Sequence, residues 1–108
     1  YIALFPNVMI GLHIDHFYVF WLEPLSTSKT KEHMQMYYVG NHSANGEELK
    51  DLRKENARFW KDVMLEDVDA IEGMQKGRSS PVYNGGNFSP VMDQPTHQFH
   101  KWVANSLI

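Results

Sequence analysis

Cysteine is absent from the 108 residues. That excludes a disulfide, a thiolate zinc site, a cysteine nucleophile and a cysteine-held iron–sulfur cluster within this segment. Charge of one sign is scarce as well. The formal net charge is -3, and no basic run or stripe appears, so nucleic acid is a poor partner. Long apolar runs are also missing. Asp15, His16 and Glu23 interrupt the strongest ones, far short of the roughly 20 apolar residues a membrane helix needs. The chain carries no internal repeat, no low-complexity tract and no secretory signal, and a cytoplasmic location without a membrane partner is the default expectation. It opens at Tyr1, without an initiator Met, in sequence that already reads as strand. A piece of a longer protein is expected.

What is present is apolar enough to pack. Hydrophobic residues make up 43% and aromatic residues 13%, too rich for disorder, and the length suits one domain or part of one. Three strand-like runs come first: Val8–Leu12, then the aromatic and β-branched Phe17–Leu22 ended by Pro24, then Thr30–Val39. Asp15-His16 reads as a turn and Ser26–Lys29 as a hairpin connection. In the third run Met34, Met36 and Tyr38 share one face, and His33, Gln35 and Tyr37 the other. An antiparallel meander is predicted.

Gly40 to Gly46 reads as a polar loop. Asn45 with Glu48 resembles a capping box, which predicts one long helix from about Glu47 to about Lys76, with Gly77 as its stop. Ser79 to Gln94 has loop composition. Pro95 opens a short last helix with Phe99, Trp102, Val103 and Leu107 as its apolar stripe. The order is β-β-β-α-loop-α.

The long helix carries the informative anomaly. At about 100° per residue, Trp60, Val63, Met64, Ala70, Ile71 and Met74 all fall within about 60° of Asp67. Asp62, Glu66, Asp69 and Glu72 project about 100° or more away. Asp67 is therefore the lone carboxylate within the apolar stripe, where an unpaired buried charge costs several kcal/mol. An ion pair with Arg78, a bend that lets Asp67 reach water, and a catalytic or metal-binding role all answer that demand. Periodicity leaves the three open.

Read in order, Leu4-Phe5-Pro6-Asn7-Val8-Met9-Ile10, Leu12-His13, Leu22-Glu23-Pro24-Leu25 and Thr30 begin a recognisable series. Trp60, Glu66-Asp67, Glu72, Gln75, Gly77 and Ser80 continue it. Tyr83, Gly86, Ser89-Pro90, His97, Phe99 and Trp102 end it. The set resembles the C-terminal part of the catalytic domain of Rieske non-haem iron oxygenase (ring-hydroxylating dioxygenase) α subunits, and it spans nearly all of residues 1–108.

That resemblance implies an α+β chain: an antiparallel sheet with a long C-terminal helix, part of a helix-grip (START-like) fold. It implies mononuclear Fe(II) held by two histidines outside this chain and by Asp67, leaving positions open for O2 beside the substrate. Trp60, Met64 and Ile71 would line the substrate pocket. A [2Fe–2S] Rieske cluster would sit in an N-terminal domain beyond this segment, fed by a reductase or ferredoxin, in a homo-oligomer (a trimer) when complete. The reaction implied is mono- or dioxygenation of an aromatic or other small organic substrate, with the segment inactive alone. The competing reading is a non-catalytic helix-grip module binding an apolar ligand; a third is a fragment that docks an apolar edge on a partner. His13 and His16 read as loop residues, and His97 and His100 as exposed helix surface.

Overall fold

A computed structural model describes all residues, 1–108. Four strands, β1 (Ile2–Leu4), β2 (Val8–Leu12), β3 (His16–Ser26) and β4 (Lys29–Tyr38), form one antiparallel sheet in the order β1-β2-β3-β4. Helices α1 (Asn41–Asn45), α2 (Lys50–Glu66), α3 (Val68–Arg78) and α4 (Gln94–Ser106) follow, with a 3-10 turn at Glu47–Leu49. The class is α+β, as expected.

The register sets the faces. His16 pairs with Tyr38, Tyr18 with Met36 and Phe20 with Met34, while Gly11 lies opposite Tyr18. Alternation along each strand brings these side chains to one inner face. Four of 108 residues are buried, and all four lie there: Gly11, His16, Tyr18 and Phe20. Gly11 is required. A Cβ at this position would stand 2.3 Å from Cζ of Tyr18, so only a hydrogen lets the ring lie over β2. On the outer face Phe17 stacks on Tyr37 and Trp21 on His33, each pair with centroids 4.8 Å apart.

α2 crosses the inner face alongside β3. The Tyr38 hydroxyl donates to the Arg53 carbonyl at 3.1 Å. Trp60 meets His16 and Tyr18 one and a half to two turns later, and Met64 reaches a hollow beside Phe20 and Met34. α4 sits elsewhere, with Phe99 and Trp102 against Phe5 at 5.1 and 5.7 Å.

The structure departs from the sequence expectation at several places, beginning with two boundaries: β3 runs on through Pro24 to Ser26, and α3 continues past Gly77 to Arg78. Ile2–Leu4 adds a fourth strand. His16 begins β3 rather than sitting in a turn. The stretch expected as polar loop contains α1, and the capping box does not form: the Asn45 amide donates to Asn41 Oδ1, and Glu48 pairs with His42. α2 starts at Lys50 without a side-chain cap. Finally, the single long helix is two helices that meet at Asp67. Asp disfavours helix interiors because its short polar side chain competes with backbone bonding. Val68, Asp69, Ile71 and Gly73 follow it, all weaker helix formers than alanine.

Candidate functional site

Asp67 closes α2 and opens α3. Its backbone remains near helical geometry, with φ -84 and ψ -16, and its carbonyl accepts the Ile71 N–H at 2.9 Å. Its side chain is exposed and makes no cap, hydrogen bond or ion pair. Of the three answers to the anomaly, the Arg78 pair is not formed, and the helix break does bring Asp67 to water. The cost expected from burial therefore does not arise within this chain. The carboxylate stands unspent.

The neighbours on the same arc differ in their surroundings. Met64 is half-buried and borders a cavity of about 170 Å³ with Phe20, Met34, Leu65 and Lys61. Ile71 is 51% exposed, so its helix turn has no cover from this chain. Leu52 is likewise 62% exposed, whereas Trp60, Val63 and Met64 of α2 are half-buried.

Trp60 is the best-anchored of the three. Its ring lies 4.8 Å from both His13 and Tyr18, and its indole N–H donates to His16 Nε2 at 3.0 Å. With Nε2 accepting, the imidazole proton resides on Nδ1, which donates to Asp15 Oδ1 at 2.7 Å. That hydrogen bond is the main cause holding the Asp15 carboxyl below its ordinary range. His13 stacks on His16 at 4.6 Å, and its Nε2 is buried without a partner. Burial, and then the nearby Tyr1 hydroxyl, push the Tyr18 phenol upward.

Beside this cluster a cleft of about 520 Å³ opens between the ends of β3 and β4 and α2, bordered by His16, Tyr38, Leu49, Arg53 and Phe59. Arg53 is tied down there by the carbonyls of Ser43 and Gly46, at 3.0 and 2.9 Å.

The cluster was illegible as a pair of loop histidines. One signal could have found it. His16, Tyr18 and Phe20 alternate, so the first is a polar group on a buried face, and such a group needs a partner.

No group of three His, Cys, Asp or Glu side chains converges to hold a metal ion. His16 spends both ring nitrogens, and the free nitrogen of His13 faces aromatic rings. At the end of α2, Glu66 and Asp67 both carry exposed carboxylates without a hydrogen-bond or ion-pair partner, hard oxygen donors suited to Fe(II), and of the two Asp67 shares the arc of Trp60. These residues fit one position of a mononuclear iron site, not a whole one.

An antiparallel sheet followed by helices is the α+β class the resemblance implies. The comparison with known proteins agrees: residues 1–107 match the family described as "Ring hydroxylating alpha subunit (catalytic domain)", and the chain belongs to that family of Rieske-type oxygenases. The chloroplastic choline monooxygenases of Spinacia oleracea and Amaranthus tricolor are each 25% identical to it over 107 residues, 99% of this chain. The matched stretch is 24% and 23% of those two proteins, so the chain spans about a quarter of the length of the curated relatives it matches. No solved structure matches it significantly. No helix is long and apolar enough to cross a membrane.

Proposed function

We propose that residues 1–108 form the C-terminal portion of an oxygenase catalytic domain and supply Asp67 as the carboxylate ligand of its mononuclear Fe(II). The observation that carries this is the state of Asp67: a carboxylate on the sheet-facing arc, at a helix joint, engaged by no cap, cation or hydrogen bond. Family membership supplies the chemical context. Two histidines would come from the rest of the domain, and the sheet and α2 would be part of a helix-grip fold.

When bound, the iron supplies activation of O2 for hydroxylation of a small organic substrate. This chain's residues have simpler tasks. Asp67 contributes one negative charge and an oxygen donor, which lowers the net charge of the site and leaves coordination positions open. Met64, Ile71 and the Trp60 ring would form an apolar wall that keeps water from the substrate. Electrons would arrive from a [2Fe–2S] Rieske cluster in another part of the protein, through a reductase or ferredoxin, in a homotrimer. Choline, named for the plant relatives, is the first substrate to assay, followed by aromatic acids.

The test is iron content per subunit in the full-length protein, measured beside turnover. Asp67→Ala should lose mononuclear iron and oxygenation while keeping the Rieske spectrum. Glu66→Gln should keep both, because Glu66 projects about 100° from the ligand direction. Iron loss in Glu66→Gln with retention in Asp67→Ala would move the ligand by one residue. Retention and turnover in both would remove the oxygenase reading of this segment.

A further inference from the structure

A polar ring on the inward face of a strand must be partnered, and His16 is partnered twice. Nδ1–H donates to Asp15, and Nε2 accepts from Trp60. The Trp60–His16 contact is the one side-chain-to-side-chain hydrogen bond between the sheet and α2. Trp60 and Asp67 are seven residues apart, which places them within about 20° of one another on the helix and roughly 10.5 Å apart along it. Whatever fixes the rotation and height of Trp60 fixes those of Asp67.

We propose that His16 is a positioning residue for the iron-binding carboxylate: the chain Asp15–His16–Trp60 seats α2 on the sheet and aims Asp67, and it does so only while His16 is uncharged. The inference rests on the reading of Asp67 as ligand. Indole N–H is a donor only. An imidazolium carries a proton on each nitrogen, so a charged His16 would keep Asp15 and lose Trp60. Trp60 is the one hydrogen-bond partner of Nε2. Tyr38 on β4 faces the ring tilted, and His13 from the β2–β3 turn, itself beside Tyr18, covers one face. From α2, Arg53 and Glu55 border the adjoining cleft, where Arg53 brings a positive charge. Asp15 is already bonded at Nδ1.

The experiment is a chelator challenge of the full-length protein, reading iron retained per subunit as pH is lowered from neutral, with melting temperature and Rieske spectrum recorded in parallel. Trp60→Phe keeps a ring and removes the donor; it should release iron at least ten-fold faster at neutral pH. His16→Gln puts an amide oxygen where Nε2 lies, an acceptor that does not titrate, so it should retain iron at neutral pH and hold it further into acid than the parent. A purely structural role would lower the melting temperature of both variants and leave the acid limb where it was.

Asp67→Ala is the control that separates the two readings. If it loses iron while Trp60→Phe holds iron like the parent, the positioning role is overturned and the ligand stands. If Asp67→Ala keeps its iron, both fall. Should Trp60→Phe fail to fold, His16→Gln decides alone, and an acid limb coincident with the parent's overturns the proposal.

Discussion

Single side chains carry more of this segment's organisation than their number suggests. Gly11 shows it through absence: the Tyr18 side chain occupies the space a Cβ would need, with two ring carbons and the hydroxyl oxygen within 2.7 Å of that point. Both partners are buried, and Tyr18 is hemmed by Trp60 and His13. Gly11→Ala should therefore destabilise the full-length protein by about 1–3 kcal/mol, the usual range for overpacking a filled core. Thermal unfolding measures it, and an unchanged midpoint would mean the ring has room to move. Asp67 teaches the opposite lesson about reading residues. Its place on the arc was legible from spacing, but its burial was not, because burial depends on what lies across from it. The sequence reveals which side chains share a face and stays silent on whether the face is covered. His16 failed for a related reason: a turn was read at Asp15-His16, and one residue of boundary error hides an inward-facing polar group.

At the scale of elements, β3 and β4 are the best-determined pair. Their alternation, the Ser26–Lys29 turn and the Met34, Met36, Tyr38 face were all readable, since period-two patterning is local. The helix was readable as a stripe but not as two helices. Its continuation through Asp67 fitted the periodicity, and the break follows from local backbone competition that periodicity does not see. Each end of β3 is tied by an acid and a histidine: Asp15 with His16, and Glu23 with His33 across the strands at 2.7 Å. Both carboxyls are held below their ordinary values chiefly by those hydrogen bonds. The sign follows from linkage. A carboxyl lowered in the folded state contributes stability above its unfolded pKa, and that stability is lost as pH falls through the lowered value. The expected effect is thus confined to roughly below pH 4 to 4.5, where free Asp and Glu titrate. Both acids are exposed, so the effect is modest and salt-sensitive. Glu23→Gln should flatten part of the acid limb of stability, read by urea midpoints between about pH 3 and 6; an identical limb would mean the His33 contact contributes nothing in solution.

The whole molecule is extended for its length. Its radius of gyration is 17.5 Å, against about 13 Å for a compact domain of some 100 residues. Four buried residues cannot repay the ordering of 108, given that fixing each residue costs on the order of 1–2 kcal/mol. Uncovered apolar side chains run the length of the chain, from Ile2, Leu4 and Leu12 to Val82, Val91 and Leu107, and Leu52, Phe59, Leu65, Ile71 and Met74 along α2 and α3 are each more than half exposed. A monomer seldom leaves so much apolar surface in water unless something else covers it. Composition alone had promised a packed core, because 43% hydrophobic residues would suffice if they faced one another. Here many of them face away, and the sequence of this segment does not contain their partners. The consequence is measurable. Expressed alone, residues 1–108 should bind a hydrophobic dye, associate in a concentration-dependent way during sedimentation, and melt over a broad range without a sharp transition. Joined to the rest of the protein, the same residues should lose dye binding and unfold cooperatively, and amide exchange along α2 should slow most around Trp60. A monodisperse isolated segment with a sharp melt would show that the sheet and α2 suffice as a core. The exposed apolar side chains would then need another explanation than a covering domain.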